Sequence, residues 1–269
     1  MVRNNYGVIK NCYVTGTVGS TTASAGGIAS TNGNTYGIGA IIENCYFAGT
    51  ITATGTMVAN AGGITATNEG GTIERCYTTG SVTQSAGSSS SGAGGIVGYS
   101  RDYTSGYTVN GVIRDCYSTS NVSSTTHFAG GIGAQISSSI TENCYATGTV
   151  NGSQGSGGIG AGASGEIKNC VALAQSVTGG SRGRIVSSSS GTLTKNYARA
   201  DMPGFSVTPD PNGATGADFN INDLLSGVFN AVNGWRTEVW DIPAVNLAAG
   251  NALPTLKNMP GVSQNPTLP

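Results

Sequence analysis

Six cysteines, one histidine and 13 acidic residues are the groups through which this 269-residue chain could do chemistry. The cysteines stand in one recurring local sentence: Ile9-Lys10-Asn11-Cys12-Tyr13, Ile42-Glu43-Asn44-Cys45-Tyr46, Ile73-Glu74-Arg75-Cys76-Tyr77, Ile113-Arg114-Asp115-Cys116-Tyr117, Thr141-Glu142-Asn143-Cys144-Tyr145 and Ile167-Lys168-Asn169-Cys170-Val171. The steps between successive cysteines are 33, 31, 40, 28 and 26 residues. A repeat of that size builds a stack of similar units, each completing its core against its neighbours. Metal sites need Cys and His grouped at short spacing, yet His127 is the only histidine and sits between Thr126 and Phe128. Aligned cysteines in adjacent units would have Cα atoms about 4.8 Å apart, with Cβ vectors parallel rather than convergent as a disulfide needs. A ladder of free, buried thiols is therefore expected, with disulfides as the alternative. No cofactor and no metal is expected.

The charged residues follow the same period. Two positions before the cysteines stand Lys10, Glu43, Glu74, Arg114, Glu142 and Lys168, with Lys195 as the seventh member. Stacked, they form an exposed column of mixed sign in which Glu43 meets Lys10 and Arg114 lies between Glu74 and Glu142. Each exposed pair contributes about 0–1 kcal/mol, so their main role is to hold register. No HExxH or Ser-His-Asp arrangement is available around His127, and no catalytic residue is expected. The run Asp218-Phe219-Asn220-Ile221-Asn222-Asp223 has the look of a calcium loop but lacks its glycine and distant Glu.

Two sets of residues are candidates for ligand or partner contact. The first is the column Tyr13, Tyr46, Tyr77, Tyr117 and Tyr145. It reads either as an aromatic ladder that steadies neighbouring coils or as an exposed stripe for glycan or protein. The second is the longest departure from the repeat, residues 99–110, with Tyr99, Arg101, Asp102, Tyr103 and Tyr107. Loops on one side of a solenoid commonly carry its binding function.

These residues must be positioned by strands. Gly numbers 44, charged residues are only 9% and the net charge is −1. Gly, Ser, Thr and Asn are poor helix formers, whereas regular Ile, Val and Thr argue for an ordered β fold. Near-neutral charge removes a broad basic field for nucleic acid, and no apolar run approaches the roughly 20 residues that span a bilayer. Residues 1–11 contain no basic stretch followed by an apolar one, so no signal peptide is read there. Because the first repeat starts so near Met1, the chain is expected to be a piece of a longer, exported protein.

Within each unit the cysteine sentence runs into alternating residues such as Tyr13-Val14-Thr15-Gly16-Thr17-Val18. A second half carries a glycine pair: Gly26-Gly27-Ile28, Gly62-Gly63-Ile64, Gly94-Gly95-Ile96, Gly130-Gly131-Ile132, Gly157-Gly158-Ile159, and Gly183-Arg184-Ile185 as a worn copy. The simplest reading is two short strands per coil with glycine turns between them. If Cys12 points inward, so do Val14, Gly16 and Val18, and Tyr13 points out. The expected fold is all-β, a right-handed parallel β-helix of about seven coils over residues 1–200, a rod on the order of 30 Å long. In the seventh copy, Thr194-Lys195-Asn196-Tyr197, Tyr197 is read in the cysteine's place. Residues 201–269 are expected to form a small mixed cap. Pro203, Pro209 and Pro211 read as a linker, and 222–233 as a short helix with Leu224, Leu225, Val228, Phe229 and Val232 on one face. The Trp235, Trp240, Ile242, Leu253 and Leu256 that follow are expected to plug the last coil.

The segments Glu142 to Val150 and Gly95-Ile96-Val97-Gly98 carry a resemblance to the GLUG-motif repeats of bacterial surface proteins, extending over roughly residues 8–198. Gly27-Ile28-Ala29-Ser30 lacks the last glycine of that pattern, and residues 183–186 lack the pair. The resemblance implies a β-solenoid region of an exported, adhesin-like protein, or one beside a separate protease domain, and brings no catalytic residues with it. The function expected is a noncatalytic structural or adhesive module, cell-surface or secreted, that meets a host or bacterial glycan or a surface protein. It is expected to be a monomer within a longer polypeptide, without nucleic acid and without direct membrane insertion. The alternatives are a polysaccharide-processing β-helix enzyme, which would need an acidic cluster on one face, and a spacer beside a protease domain.

Overall fold

The computed structural model describes residues 1–33, 39–55, 58–85, 91–104, 108–261 and 263–269. The chain winds into a parallel β-solenoid. One sheet stacks Val8–Lys10, Ile41–Glu43, Thr72–Glu74, Val112–Arg114, Ile140–Glu142, Glu166–Lys168 and Thr192–Thr194 in chain order. A second seven-stranded sheet stacks Val2–Asn5, Ala29–Gly33, Thr65–Glu69, Val97–Arg101, Gly133–Ser137, Gly160–Ala163 and Val186–Ser189. A third, larger sheet holds the strands that open on the tyrosines, such as Tyr46–Ala53 and Tyr77–Gln84, and those that lead into the glycine pairs. Two strands per coil is thus too few: a complete coil such as the third runs Thr72–Glu74, Tyr77–Gln84, Gly92–Gly94 and Val97–Arg101.

The residue before each cysteine explains the first extra corner. Asn11, Asn44, Arg75, Asp115, Asn143 and Asn169 all adopt the left-handed conformation, as does Lys195 before Asn196, with φ between 50° and 55°. Asn and Asp tolerate that region better than other side chains, which is why they dominate this position. The turn splits the cysteine sentence into two strands on different faces. Register follows: Ile73 pairs with Ile42 and Ile113, and Tyr77 with Tyr46 and Tyr117.

The second corner is the glycine pair, whose members have no positive φ. They are there for want of space rather than for backbone freedom. A Cβ on Gly62 would lie 1.9 Å from the Thr65 carbonyl oxygen, and one on Gly63 would meet the Gly95 carbonyl at 2.1 Å and Thr78 Cγ2 at 2.6 Å. The first glycine looks into a re-entrant outer corner, and the second faces the opposite wall of a narrow core.

Between the walls, Ile42, Cys45, Phe47, Ile51, Ile64 and their counterparts in the next four coils are 0–1% exposed. The inward parity of the cysteine column therefore holds. A polar rung runs at the remaining corner, where Asn5 Nδ2 donates to Asn32 Oδ1 (2.8 Å), Asn32 Nδ2 to Asn68 Oδ1 (2.9 Å) and Asn68 Nδ2 to Ser100 Oγ (3.3 Å). Buried amides so paired satisfy one another along the stack.

The seventh copy departs from the expected register. Leu193 pairs with Ile167 and Tyr197 with Val171, so Asn196, not Tyr197, stands in the cysteine column. Asn196 is buried; its Oδ1 accepts the Cys170 amide (3.0 Å) and its Nδ2 donates to the Ile167 carbonyl (2.9 Å). It ends the ladder by satisfying backbone groups that a thiol would leave.

The proline segment is a cover, not a linker. Ile185 N–H donates to the Ala214 carbonyl and Asn196 N–H to the Pro211 carbonyl, while Ala217–Phe219 adds a parallel strand to Tyr197–Arg199. Buried Arg184 clamps it through the carbonyls of Thr215 (2.8 Å) and Gly216 (3.0 Å) and through Asp218 Oδ1 (2.7 Å). Met202, Phe205 and Ala214 pack on the core end, which protects the last coil's strand edge.

The expected helix over 222–233 shrinks to one turn, Leu225–Val228, followed by a 3-10 turn, Ala231–Asn233, capped by the Asn230 side chain. Leu224 and Val232 are exposed; Leu225, Val228 and Phe229 supply the buried face. A short antiparallel pair, Trp240–Asp241 with Thr255–Leu256, follows.

Candidate functional site

The tyrosine column stacks as a ladder. Ring centroids from Tyr13 through Tyr46, Tyr77 and Tyr117 to Tyr145 are 5.1, 4.8, 5.0 and 4.9 Å apart, with planes within 10° of parallel. Outward parity predicts an exposed stripe, and here the structure corrects the sequence. Tyr46, Tyr77, Tyr117 and Tyr145 are 0–5% exposed because the chain's own C-terminal segment lies along them. Trp235, Trp240, Phe229, Leu253 and Leu256 form a second core against the ladder. The large apolar residues that were expected to plug the rod's end instead cover its side. Tyr13 alone of the five is exposed, at 53%.

Polar contacts fix this strap. Tyr145 donates its hydroxyl to the Pro254 carbonyl (2.6 Å) and Tyr117 to Gln264 Oε1 (2.9 Å). Buried Asp115 accepts from Arg236 Nη2 (2.9 Å) and from Trp240 Nε1 (3.1 Å). Burial, with the neighbouring Tyr46 phenol second, pushes the Tyr77 hydroxyl up to about 12. The same cause holds Tyr117 and Tyr145 protonated well above the usual phenol range.

Inside the sheet, Cys45, Cys76, Cys116, Cys144 and Cys170 are buried free thiols; Cys12, at the first rung, is free and exposed. Cys45, Cys76, Cys116 and Cys144 donate to the carbonyl two residues back at 3.1–3.2 Å, and Cys170 does so at 3.4 Å. Burial pushes the Cys76 and Cys144 thiols well up, while a hydrogen bond with Cys76 lowers Cys45, and against its burial Cys116 is lowered by bonds with Cys144 and Cys76; all five inner thiols are enclosed in the packed column.

The charge column pairs from Lys10 to Lys168, whereas Lys195, expected as its seventh member, stands in the left-handed position with Thr194 beside Lys168. Glu43 meets Lys10 (3.4 Å) and Arg75, Glu74 meets Arg114 (2.5 Å), and Glu142 meets Lys168 (3.1 Å). Arg75, from the left-handed position rather than the column itself, is a partner the sequence reading did not include. A cleft of about 550 Å³ beside the strap is lined by Glu74, Arg75, Arg114, Asp115, Glu142 and Arg236, as many cations as carboxylates. Asp218 and Asp223 of the calcium-like run are engaged by Arg184 and by Asn220, and among the described residues no cluster of three metal-ligating side chains occurs.

Among the described 99–110 candidates, Tyr99 and Arg101 meet. Tyr99 stands half-buried on the outer side of the second sheet, with the Arg101 guanidinium 5.8 Å from its ring centre. Arg101 is exposed and pairs with Glu69. Asp102 turns back to accept the Gly111 amide (2.9 Å), and Tyr103 pairs its backbone with Val109. Tyr107 lies outside the described residues.

A site that sequence reasoning missed lies on the far side of the rod. The outward column of the second sheet runs Thr67, Tyr99, Gln135, Gly162, Ser188 in register. Where Gly162 follows Tyr99 and Gln135, the surface steps in. The re-entrant glycine corner then opens into a hollow of about 450 Å³ walled by Phe128. The only sequence signal was Gly162 itself, hidden among the other glycines. Fold and surfaces together define the class of this protein: a parallel β-solenoid with a C-terminal strap. No family model, no curated protein and no solved structure matches the chain.

Proposed function

We propose that this chain is a noncatalytic structural and adhesive module of a secreted or cell-surface protein, a stiff rod that meets glycan or protein through its side face. The observation that carries this reading is the fate of the glutamates. All six glutamates lie within 4.0 Å of a cationic side chain. Glycoside cleavage uses two carboxylates flanking the bond, one of them free to give up a proton. Here Glu74 and Glu142 stand two rungs apart with Arg114 between them in register. That arrangement suits a register-holding column. The resemblance to GLUG-motif repeats supports placing the module in a bacterial exported protein.

The test is to incubate the chain with a panel of polysaccharides and host-matrix proteins, measuring retention and released reducing ends together. Retention of at least one polymer without release of ends is the expected result. Release of reducing ends that disappears in Glu74→Gln or Glu142→Gln would replace this reading with the enzyme.

A further inference from the structure

The structure assigns a binding site for a short, neutral oligosaccharide to the hollow at the glycine corner of the fourth to sixth coils; this deepens the contact-module reading and rests on it. The hollow of about 450 Å³ falls within the range of about 300–1,000 Å³ typical of small-molecule sites. Its making is not demanded by the fold. Corner glycines such as Gly62 and Gly157 have a carbonyl oxygen about 2 Å from where a Cβ would sit, whereas a Cβ on Gly162 would meet nothing within 4 Å. Nor does Gly162 have a positive φ. Any small or polar residue could continue the column there, so the glycine keeps room rather than shape.

The lining specifies the ligand's chemistry. The Gln135 amide and the hydroxyls of Ser137, Ser164 and Ser188 face the hollow and form no hydrogen bond with another described residue. Elsewhere in the rod, serine hydroxyls such as those of Ser118, Ser124 and Ser156 bond within the protein. Unspent groups that both donate and accept match a ligand rich in hydroxyls. The Phe128 ring lies over Gly155 as one wall, an apolar surface for the C–H face of a sugar ring. Among the described residues no charged side chain lines the hollow, so none of them would repay the dehydration of an ionic ligand.

The decisive variant is Gly162→Trp, which fills the hollow from an open, unstrained position. Calorimetric titrations of the full chain would use cellotetraose, maltotetraose and mannotetraose as neutral probes and trigalacturonate as the anionic control. The expected result is binding of at least one neutral probe with a Kd below the millimolar range. Gly162→Trp should weaken it at least 10-fold and Gln135→Ala 3- to 10-fold, both with an unchanged Tm. Three results would overturn the site: no neutral probe bound at millimolar concentration, equal or tighter binding of trigalacturonate, or full affinity in Gly162→Trp. The last would leave the contact-module reading standing with its ligand elsewhere. Release of reducing ends from a bound probe would sink that reading while leaving the hollow as a site.

Discussion

Asp115 is where a single atom change tests how the strap is held. Its carboxylate is 2% exposed, its backbone is left-handed (φ 50°), and it takes two donors from the strap. Asn at this position keeps the favoured turn and one oxygen for Trp240 Nε1 but loses the charge that faces Arg236. A hydrogen bond to a charged group contributes about 1.5–3 kcal/mol. Because the Arg236 side chain is half exposed, solvent screens that term. Asp115→Asn should therefore cost about 1–2 kcal/mol. Asp115→Ala also strands a buried indole N–H, at about 1–3 kcal/mol, and puts a Cβ residue without a polar side chain in the left-handed region, at about 1 kcal/mol. Its total should be about 3–6 kcal/mol. The assay is urea unfolding followed in parallel by tryptophan fluorescence and circular dichroism. Both tryptophans of the chain, Trp235 and Trp240, are buried in the strap, so fluorescence reports the strap and dichroism the coils. The fluorescence transition should move to lower urea in the order wild type, Asn, Ala. Equal losses in the two variants, or a loss below about 0.5 kcal/mol in Asp115→Ala, would refute the reasoning.

Three further outcomes are expected. Gly63→Ala forces a Cβ onto the Gly95 carbonyl and should cost about 3 kcal/mol or more, whereas Gly162→Ala should stay within about 0.5 kcal/mol; paired thermal melts check both. Free tyrosines ionise near pH 10, while Tyr77 holds its proton to about 12, so the folded state binds that proton more tightly. Stability from this group is complete below about pH 10 and is lost as pH rises toward 12; a Tyr77 phenol titrating at 10 in the folded chain by ultraviolet difference spectra would contradict its burial. Asn169→Ala removes an Asx side chain at φ 53° and should cost about 1 kcal/mol, while Asn169→Gly should cost less, as judged by midpoint shifts in urea.

Coils, thiol ladder and charge column were legible because each depends on one repeated residue type at one repeated position. Local parity places Cys45 and Phe47 inward from their neighbours alone. The asparagines before the cysteines were visible too, but their meaning is a backbone angle, which only the turn between two faces reveals. The tyrosine ladder was half legible. Parity sent Tyr117 and Tyr145 outward correctly, yet their burial depends on Trp235 and Trp240, some 90 to 125 residues later, with no pattern linking the two. In the same way Gly162 is one glycine among 44, and its openness follows from Gln135 before it and Ser188 after it in space. Asn196 was misplaced because Lys195-Asn196-Tyr197 keeps the repeat's Asn and Tyr but sets the Asn in the cysteine's place.

The central claim is that six cysteines count coils stacked in parallel register around one core. Quantitative alkylation of the native chain, mapped by mass spectrometry, tests it directly. One thiol, Cys12, should label rapidly without denaturant and all six after unfolding, with no disulfide at any stage. Rapid native labelling of any of Cys45, Cys76, Cys116, Cys144 or Cys170, or a disulfide between neighbouring coils, would contradict the stacked register.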